Sequence, residues 1–251
     1  MDLGLNGKRA LVTGSTKGLG RAIAETLLQE GASVAICARS GDDVDAAISE
    51  MSAHGKVVGA AVDAGDQASL SGWVASSAEQ LGGIDIYVHN TSGKPARELS
   101  GWINNFNVDL MALVAGVGAA TEALADGGGS IISIGTTATA EHFASGSGSY
   151  SAFKAAVTNW TLGQAQVLGA QGVRCNVVSP GPIMVEGGDW DMIRQHMGDF
   201  FKATEANHPG GSMGVPADVA NAVAFLAGDV SKHVNGVNLT VDGGFLKRVN
   251  Y

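Results

Sequence analysis

The stretch Tyr150-Ser151-Ala152-Phe153-Lys154 places a phenol and an ammonium at i, i+4, on one face of a helix. A free tyrosine titrates near pH 10, too high for a base at neutral pH, and a close positive charge moves it toward the working range. Alone, this spacing is a common accident. A second cluster, Thr13-Gly14-Ser15-Thr16-Lys17-Gly18-Leu19-Gly20, lies between a β-rich run and a helical one. Glycines there let the backbone turn sharply and approach a pyrophosphate, while free N–H groups and the helix dipole offer it positive potential. Gly14, Ser15, Thr16, Lys17, Gly18, Leu19 and Gly20 are therefore read as a dinucleotide site.

The next β-rich run ends in Ile36-Cys37-Ala38-Arg39-Ser40, without the acid that would bind ribose hydroxyls and repel a 2′-phosphate. Arg39 offers a planar fork of donors instead, with Ser40 beside it and Lys17 adding a second positive charge from the loop. The expected cofactor is NADP(H). The competing reading makes Arg39 and Lys17 ordinary solvated cations.

These residues need a scaffold, and its elements are visible as short apolar runs: Arg9–Thr13, Ser33–Ala38, Lys56–Val62, Asp85–His89, Ser130–Ile134, Val173–Val178 and Val237–Val241. The first six have little period-two alternation, which suits central strands of a parallel sheet covered on both faces. Helical spacing fills the gaps at Leu19–Glu30, Asp43–Ala53, Gln67–Gln80 and Ser151–Leu168. This alternation predicts a single α/β domain over 1–251, a doubly wound parallel sheet of Rossmann type. The net charge of 15 − 24 = −9 argues against nucleic acid as a partner. With 45% hydrophobic and 16% charged residues, the chain can bury a core. Met111 to Ala125 falls short of the roughly 20 apolar residues that span a bilayer, and reads as a buried helix with no membrane role. Cys37 and Cys175 lie in apolar runs and are expected to be reduced. Met1-Asp2-Leu3-Gly4 carries no secretion signal, so the expected location is cytoplasmic.

Taken together, the loop and the Tyr–Lys pair resemble the short-chain dehydrogenase/reductase family over essentially the whole chain. Asp63 follows the third run, where family members contact adenine. His89-Asn90-Thr91-Ser92-Gly93 stands where the family carries Asn-Asn-Ala-Gly, with Asn90 at the second Asn. Pro180-Gly181-Pro182-Ile183 follows the sixth run, where the nicotinamide end is held, and Val241-Asp242-Gly243-Gly244 matches the family's ending. The resemblance implies about seven strands, a homodimer or homotetramer, and a small carbonyl or alcohol substrate. It also implies hydride exchange with the nicotinamide while Tyr150 exchanges the proton and Lys154 holds the ribose and lowers the Tyr150 pKa.

Two departures stand out. The usual serine after strand five is replaced by Ile134-Gly135-Thr136-Thr137: strand register selects Thr136, spacing back from Tyr150 selects Thr137, and Thr136 is favoured. The stretch Trp102 to Leu110 places Asp109 at the family's Asn, where a buried carboxylate near Lys154 alters the coupled titration; Asn107 faces elsewhere. A non-catalytic NADP(H)-binding regulator is the alternative these departures support. Residues 184–214, carrying Met184, Trp190, Met192, Met197, Phe200 and Phe201, are expected to form a one- or two-helix lid over a hydrophobic or aromatic substrate, or else to pack on the body or a neighbouring subunit. His142, His196 and His208 lack ligand spacing, so no metal is expected.

Overall fold

The computed structural model describes residues 1–141 and 148–248, and in it the apolar runs become one sheet; His142 lies outside the described residues. The strands are β1 (Arg9–Thr13), β2 (Ser33–Ala38), β3 (Val57–Ala61), β4 (Ile86–His89), β5 (Gly129–Ile134), β6 (Val173–Pro180) and β7 (Asn238–Val241). All pair in parallel, in the order β3-β2-β1-β4-β5-β6-β7. The main helices are α1 (Gly18–Gln29), α2 (Gly41–Met51), α3 (Gln67–Leu81), α4 (Leu99–Asn105), α5 (Ala112–Ala125), α6 (Ser149–Leu168), α7 (Asp189–His196), α8 (Gly198–Ala206) and α9 (Pro216–Ala227). The chain winds outward from β1 to β3 and returns to β4 on the other side of β1. In open α/β sheets ligands bind beyond the carboxyl ends of the strands at such a reversal.

Side-chain alternation along each strand supplies two cores. Ala10 and Val12, Val34 and Ile36, and Ile86 and Val88 face α1, α2 and α9. Leu11, Ala35, Cys37, Tyr87 and Ile131 face α3, α5 and α6. Cover on both faces explains why these runs are nearly all apolar. β3 departs from the central placement that its composition suggested: it is an edge strand, with Ala60 and Ala61 exposed.

The helix before β5 is also longer than the apolar run it was read from. α4 continues through a π-helical segment, Phe106–Met111, into α5, giving 27 residues from Leu99 to Ala125. By length and composition it could cross a membrane. Its buried face, Ala112, Leu113, Val117, Ala120 and Leu124, instead lies within the core shared with α3.

Residues 184–214 form α7, α8 and their connections, and the ends of the insertion meet. Met184 N donates to Gly214 O at 2.8 Å and Gly214 N to Pro182 O at 3.2 Å, bracketing a bridge between Ile183 and Gly214. Trp190 stacks on Phe200 with ring centroids 6.0 Å apart. Phe201 and Met213 are buried, whereas Met192, Met197 and Phe200 stay about half exposed, so this apolar surface is only partly covered.

Candidate active site

The loop after β1 is shaped by contacts that only glycine permits. A Cβ on Gly20 would stand 2.2 Å from Gly14 O, so α1 starts with its backbone against the turn. Asn90 holds that turn, its Nδ2 donating to Thr13 O at 3.1 Å and to Gly14 O at 2.9 Å. Thr13 Oγ1 in return accepts from the backbone N–H groups of Asn90 (2.9 Å) and Thr91 (3.2 Å). Asn90 thus shapes the phosphate loop from β4. No side chain caps the start of α1, where Lys17 is the N-cap, so its first amides are left for an anion.

Ser15 differs from its reading as a cofactor contact. Its hydroxyl donates to Val12 O at 2.6 Å and accepts from Cys37 N at 3.3 Å, while its own N–H donates to Cys37 O at 3.1 Å. Every polar group of Ser15 except its carbonyl is committed inside, tying the loop to β2. Thr16 and Gly18 are half-buried; Leu19 packs on the core. Arg39 and Lys17 are exposed and have no side-chain partner among the described residues. Ser40 caps α2 by accepting from Asp43 N at 3.2 Å, and Asp63, exposed after β3, accepts from Gly65 N at 2.9 Å. Gly181 donates to Val241 O at 2.9 Å beyond the end of β6 at Pro180, and the Ile183 side chain is buried. A Cβ on Gly18 would lie 3.5 Å from Val185, so the segment leaving β6 reaches the phosphate loop.

The four residues singled out for chemistry converge at the carboxyl ends of β4 and β5. Tyr150 stands in the first turn of α6, with the Thr136 hydroxyl, just beyond the end of β5, close enough to its phenol to favour the phenolate. Thr137 belongs to the short 3-10 turn that Thr136 caps, the Thr136 Oγ1 accepting from Ala138 N at 3.2 Å. Lys154 is fully buried, with Nζ donating to Ile134 O at 2.8 Å and lying 3.5 Å from Asp109 Oδ1. Burial lowers the Lys154 pKa, and Asp109 opposes that shift.

Tyr150 titrates above its ordinary value, against the expected downward pull of Lys154. Burial is the main cause, the nearby Thr136 hydroxyl works the other way, and the charges of Asp109 and Asp189 add to the rise. The ammonium that was to stabilise a phenolate faces a carboxylate of its own.

Asp109 is the hub of a network that the sequence reading missed. Oδ1 accepts from Ser92 Oγ at 2.6 Å; Oδ2 accepts from Gly93 N at 3.0 Å and Asn105 Nδ2 at 2.8 Å. Asn105 Oδ1 in turn accepts from Ser149 Oγ at 2.8 Å. Beneath them His89, buried at the end of β4, donates from Nε2 to Asp109 O at 2.9 Å, because a carbonyl only accepts. The i, i+4 spacing of Asn105 and Asp109 was a usable signal.

A protein-family model described as enoyl-(acyl carrier protein) reductase matches residues 14–246. Isoepoxydon dehydrogenase patN of Penicillium expansum is 35% identical over 251 residues, covering 97% of this chain and 96% of its own. The 2,5-dichloro-2,5-cyclohexadiene-1,4-diol dehydrogenase LinX of Sphingobium indicum is 33% identical, covering 96% and 97%. A solved structure of L-sorbose reductase from Gluconobacter frateurii, complexed with NADPH and L-sorbose, matches with a TM-score of 0.90 at 27% identity, covering 99% of this chain and 100% of that one. The chain belongs to the short-chain dehydrogenase/reductase family of oxidoreductases.

Proposed function

We propose that this protein is an NADP(H)-dependent oxidoreductase that interconverts a secondary alcohol and a ketone, with Tyr150 as general acid and base. The observation that carries this reading is the convergence of Tyr150, Thr136 and Lys154 at the carboxyl ends of the strands, with the Thr136 hydroxyl near the phenol. The phosphate loop fits a dinucleotide: the contact between Gly20 and Gly14 leaves no room for a side chain, and the amides at the start of α1 are uncapped. When bound, the nicotinamide supplies or takes up the hydride. Tyr150 gives its proton to the carbonyl oxygen in reduction and takes it back in oxidation, while Thr136 hydrogen-bonds that oxygen as charge develops. Lys154 stands one helical turn from Tyr150, placed to hold the nicotinamide ribose.

Choice of the phosphorylated cofactor rests on Arg39 and Lys17, exposed and unpaired among the described residues. The related L-sorbose reductase structure holds NADPH. A hydrophobic, ring-bearing substrate is supported by the exposed Met192, Met197 and Phe200 on the insertion, read here as a lid, and by the cyclohexadienediol that LinX is named for. Two free buried cysteines, Cys37 and Cys175, whose thiols burial pushes up to about 12, support a reducing, cytoplasmic setting. Self-association as a dimer or tetramer is supported by Leu99, Ile103 and Phe106, an exposed apolar stripe on α4 and the segment after it. Sedimentation equilibrium is expected to show more than one subunit per particle, and a purely monomeric protein would remove that part of the reading.

A second reading, a cofactor-binding regulator without turnover, draws on the raised Tyr150 pKa and on Asp109 beside Lys154. One experiment separates them: NADPH and NADH consumption over a panel of cyclic ketones, with titration of both cofactors into wild type and Arg39→Ala. The enzyme reading expects turnover, preferentially with NADPH. A charge-assisted hydrogen bond contributes roughly 1.5–3 kcal/mol, so Arg39→Ala should weaken NADP(H) binding about ten- to a hundredfold and leave NAD(H) nearly unchanged. NADPH binding without consumption on any ketone favours the regulator, and equal losses for both cofactors make Arg39 a plain surface cation.

A further inference from the structure

Asp109 is fully buried and carries donors on both oxygens, but they serve different ends. Oδ1 meets Ser92 and faces Lys154 at 3.5 Å; Oδ2 is taken by Gly93 N and by the Asn105 amide at 2.8 Å. The orientation of that amide is fixed, because a carboxylate only accepts and must face Nδ2. Its Oδ1 then receives the hydroxyl of Ser149, the residue immediately before Tyr150. Ser149 is also fastened to the loop ahead of α4, accepting from Ala96 N at 3.0 Å. A Cβ on Gly93 would lie 2.5 Å from Asn105 Nδ2, so the turn after β4 makes room for this amide.

We propose that Asn105 is a positioning residue: it anchors the Asp109 carboxylate away from Lys154, ties it to the start of α6, and thereby governs the charge felt by Tyr150. The role deepens the catalytic reading given above and rests on it. The charged and titratable groups facing this centre are Lys154 from α6, Asp109 from the π-helical segment, Asp189 from α7 and His89 from β4. His89 is held down to about 3 by burial and stays neutral, so the balance lies between one ammonium and two carboxylates. Loss of the Asn105 donor acts twice in one direction. It strips partial positive charge from Oδ2, and it frees the carboxylate to turn toward Lys154 and cancel the ammonium more completely. Both effects disfavour the phenolate.

The test is a near-ultraviolet titration of tyrosinate, which needs neither substrate nor turnover. The chain has three tyrosines, and subtracting the titration of Tyr150→Phe removes Tyr87 and Tyr251 from the signal. Asn105→Ala is expected to raise the Tyr150 midpoint by about half a pH unit, and Asp109→Asn to lower it by about one. Combined, they should titrate where Asp109→Asn alone does, because no anion remains for Asn105 to hold. If Asn105→Ala does not fold, Asn105→Ser is read in the same way, since its short hydroxyl cannot span the gap to Asp109. An unmoved midpoint in the folded variant, or a shift of the same size in the Asp109→Asn background, overturns the proposal. Turnover of Tyr150→Phe is a separate measurement: if it persists, the catalytic reading fails whatever the midpoints show.

Discussion

A phenol that titrates above its ordinary value keeps its proton at neutral pH, so it is present there as the acid and scarcely as the base. In reduction Tyr150 must be protonated, so carbonyl reduction should be fastest at neutral pH and fall as pH rises through the Tyr150 pKa. Alcohol oxidation should run the opposite way and need alkaline conditions. Opposed pH profiles for the two directions are the expected result, and parallel ones would exclude a single group acting as both acid and base. Tyr150→Phe should bind cofactor normally and lose turnover by a factor of about 10² or more. Near-native kcat in that variant would end the assignment. The two threonines separate in the same assay: Thr136→Val removes the hydroxyl beside the phenol, whereas Thr137→Val alters a turn, so the first should cost far more. At this scale the pair Tyr150 and Lys154 stands out only when its spacing is joined to the glycine loop, and strand register favours Thr136 over Thr137; the fold brings Tyr150, Lys154 and Thr136 together. The sign of the Tyr150 shift was not legible, because burial of the phenol is its main cause and the charges of Asp109 and Asp189 add to it, and no spacing rule carries either.

Element positions followed closely from composition because cover on both faces leaves strands with little choice of residue. β1 and β2 begin and end where their apolar runs do, and the helices differ from their periodic patterns by a few residues. Departures come where an element's neighbours, and not its own residues, decide the outcome. β3 is as apolar as a central strand but lies at the edge, since sheet order is set by the crossovers. The π-helical turns from Phe106 to Met111 carry no composition signal, although they stand where Asp109 enters the site. Ser15 reads as a cofactor contact with the rest of the glycine loop; in the fold its hydroxyl and N–H are taken up by Val12 and Cys37, fastening the loop to β2. The phosphate loop gives the sharpest test of an element's shape. In Gly20→Ala the new methyl must displace backbone, because Gly14 O would be 2.2 Å away. The expected outcome is loss of both NADPH and NADH binding by at least about tenfold, together with lower stability by about 1–3 kcal/mol, the usual cost of overpacking. Calorimetric titration and thermal melting report these separately, and unchanged cofactor affinity would show that the loop is not the phosphate site.

The molecule as a whole couples its active site to its stability through one buried ring. The doubly wound sheet and its two cores follow from the alternation of apolar runs and helical patterns, but the sequence reading gave no role to His89, which stands at the family's first Asn. In the folded protein burial is the larger cause, and the Lys154 charge the smaller, that holds His89 down to about 3 from 6.5. The unfolded chain takes up this proton near pH 6.5, and the native state does so only near pH 3. Between those values the unfolded state binds more protons, so stability falls as pH drops through the window. For this single group the slope is about 1.4 kcal/mol per pH unit, and above pH 6.5 its contribution is complete. Carboxylates add to the acid loss at the lower end, Asp85 among them, since its hydrogen bonds to Arg9 keep its pKa below the ordinary value. His89→Asn isolates the ring: asparagine does not titrate, and its amide can still donate toward Asp109 O. Urea unfolding of both proteins at steps between about pH 7 and pH 5, above most carboxylate titration, should give a clearly flatter dependence for the variant. Equal slopes would mean that His89 gains its proton without unfolding, and that the buried centre around Lys154 and Asp109 admits a further positive charge at little cost.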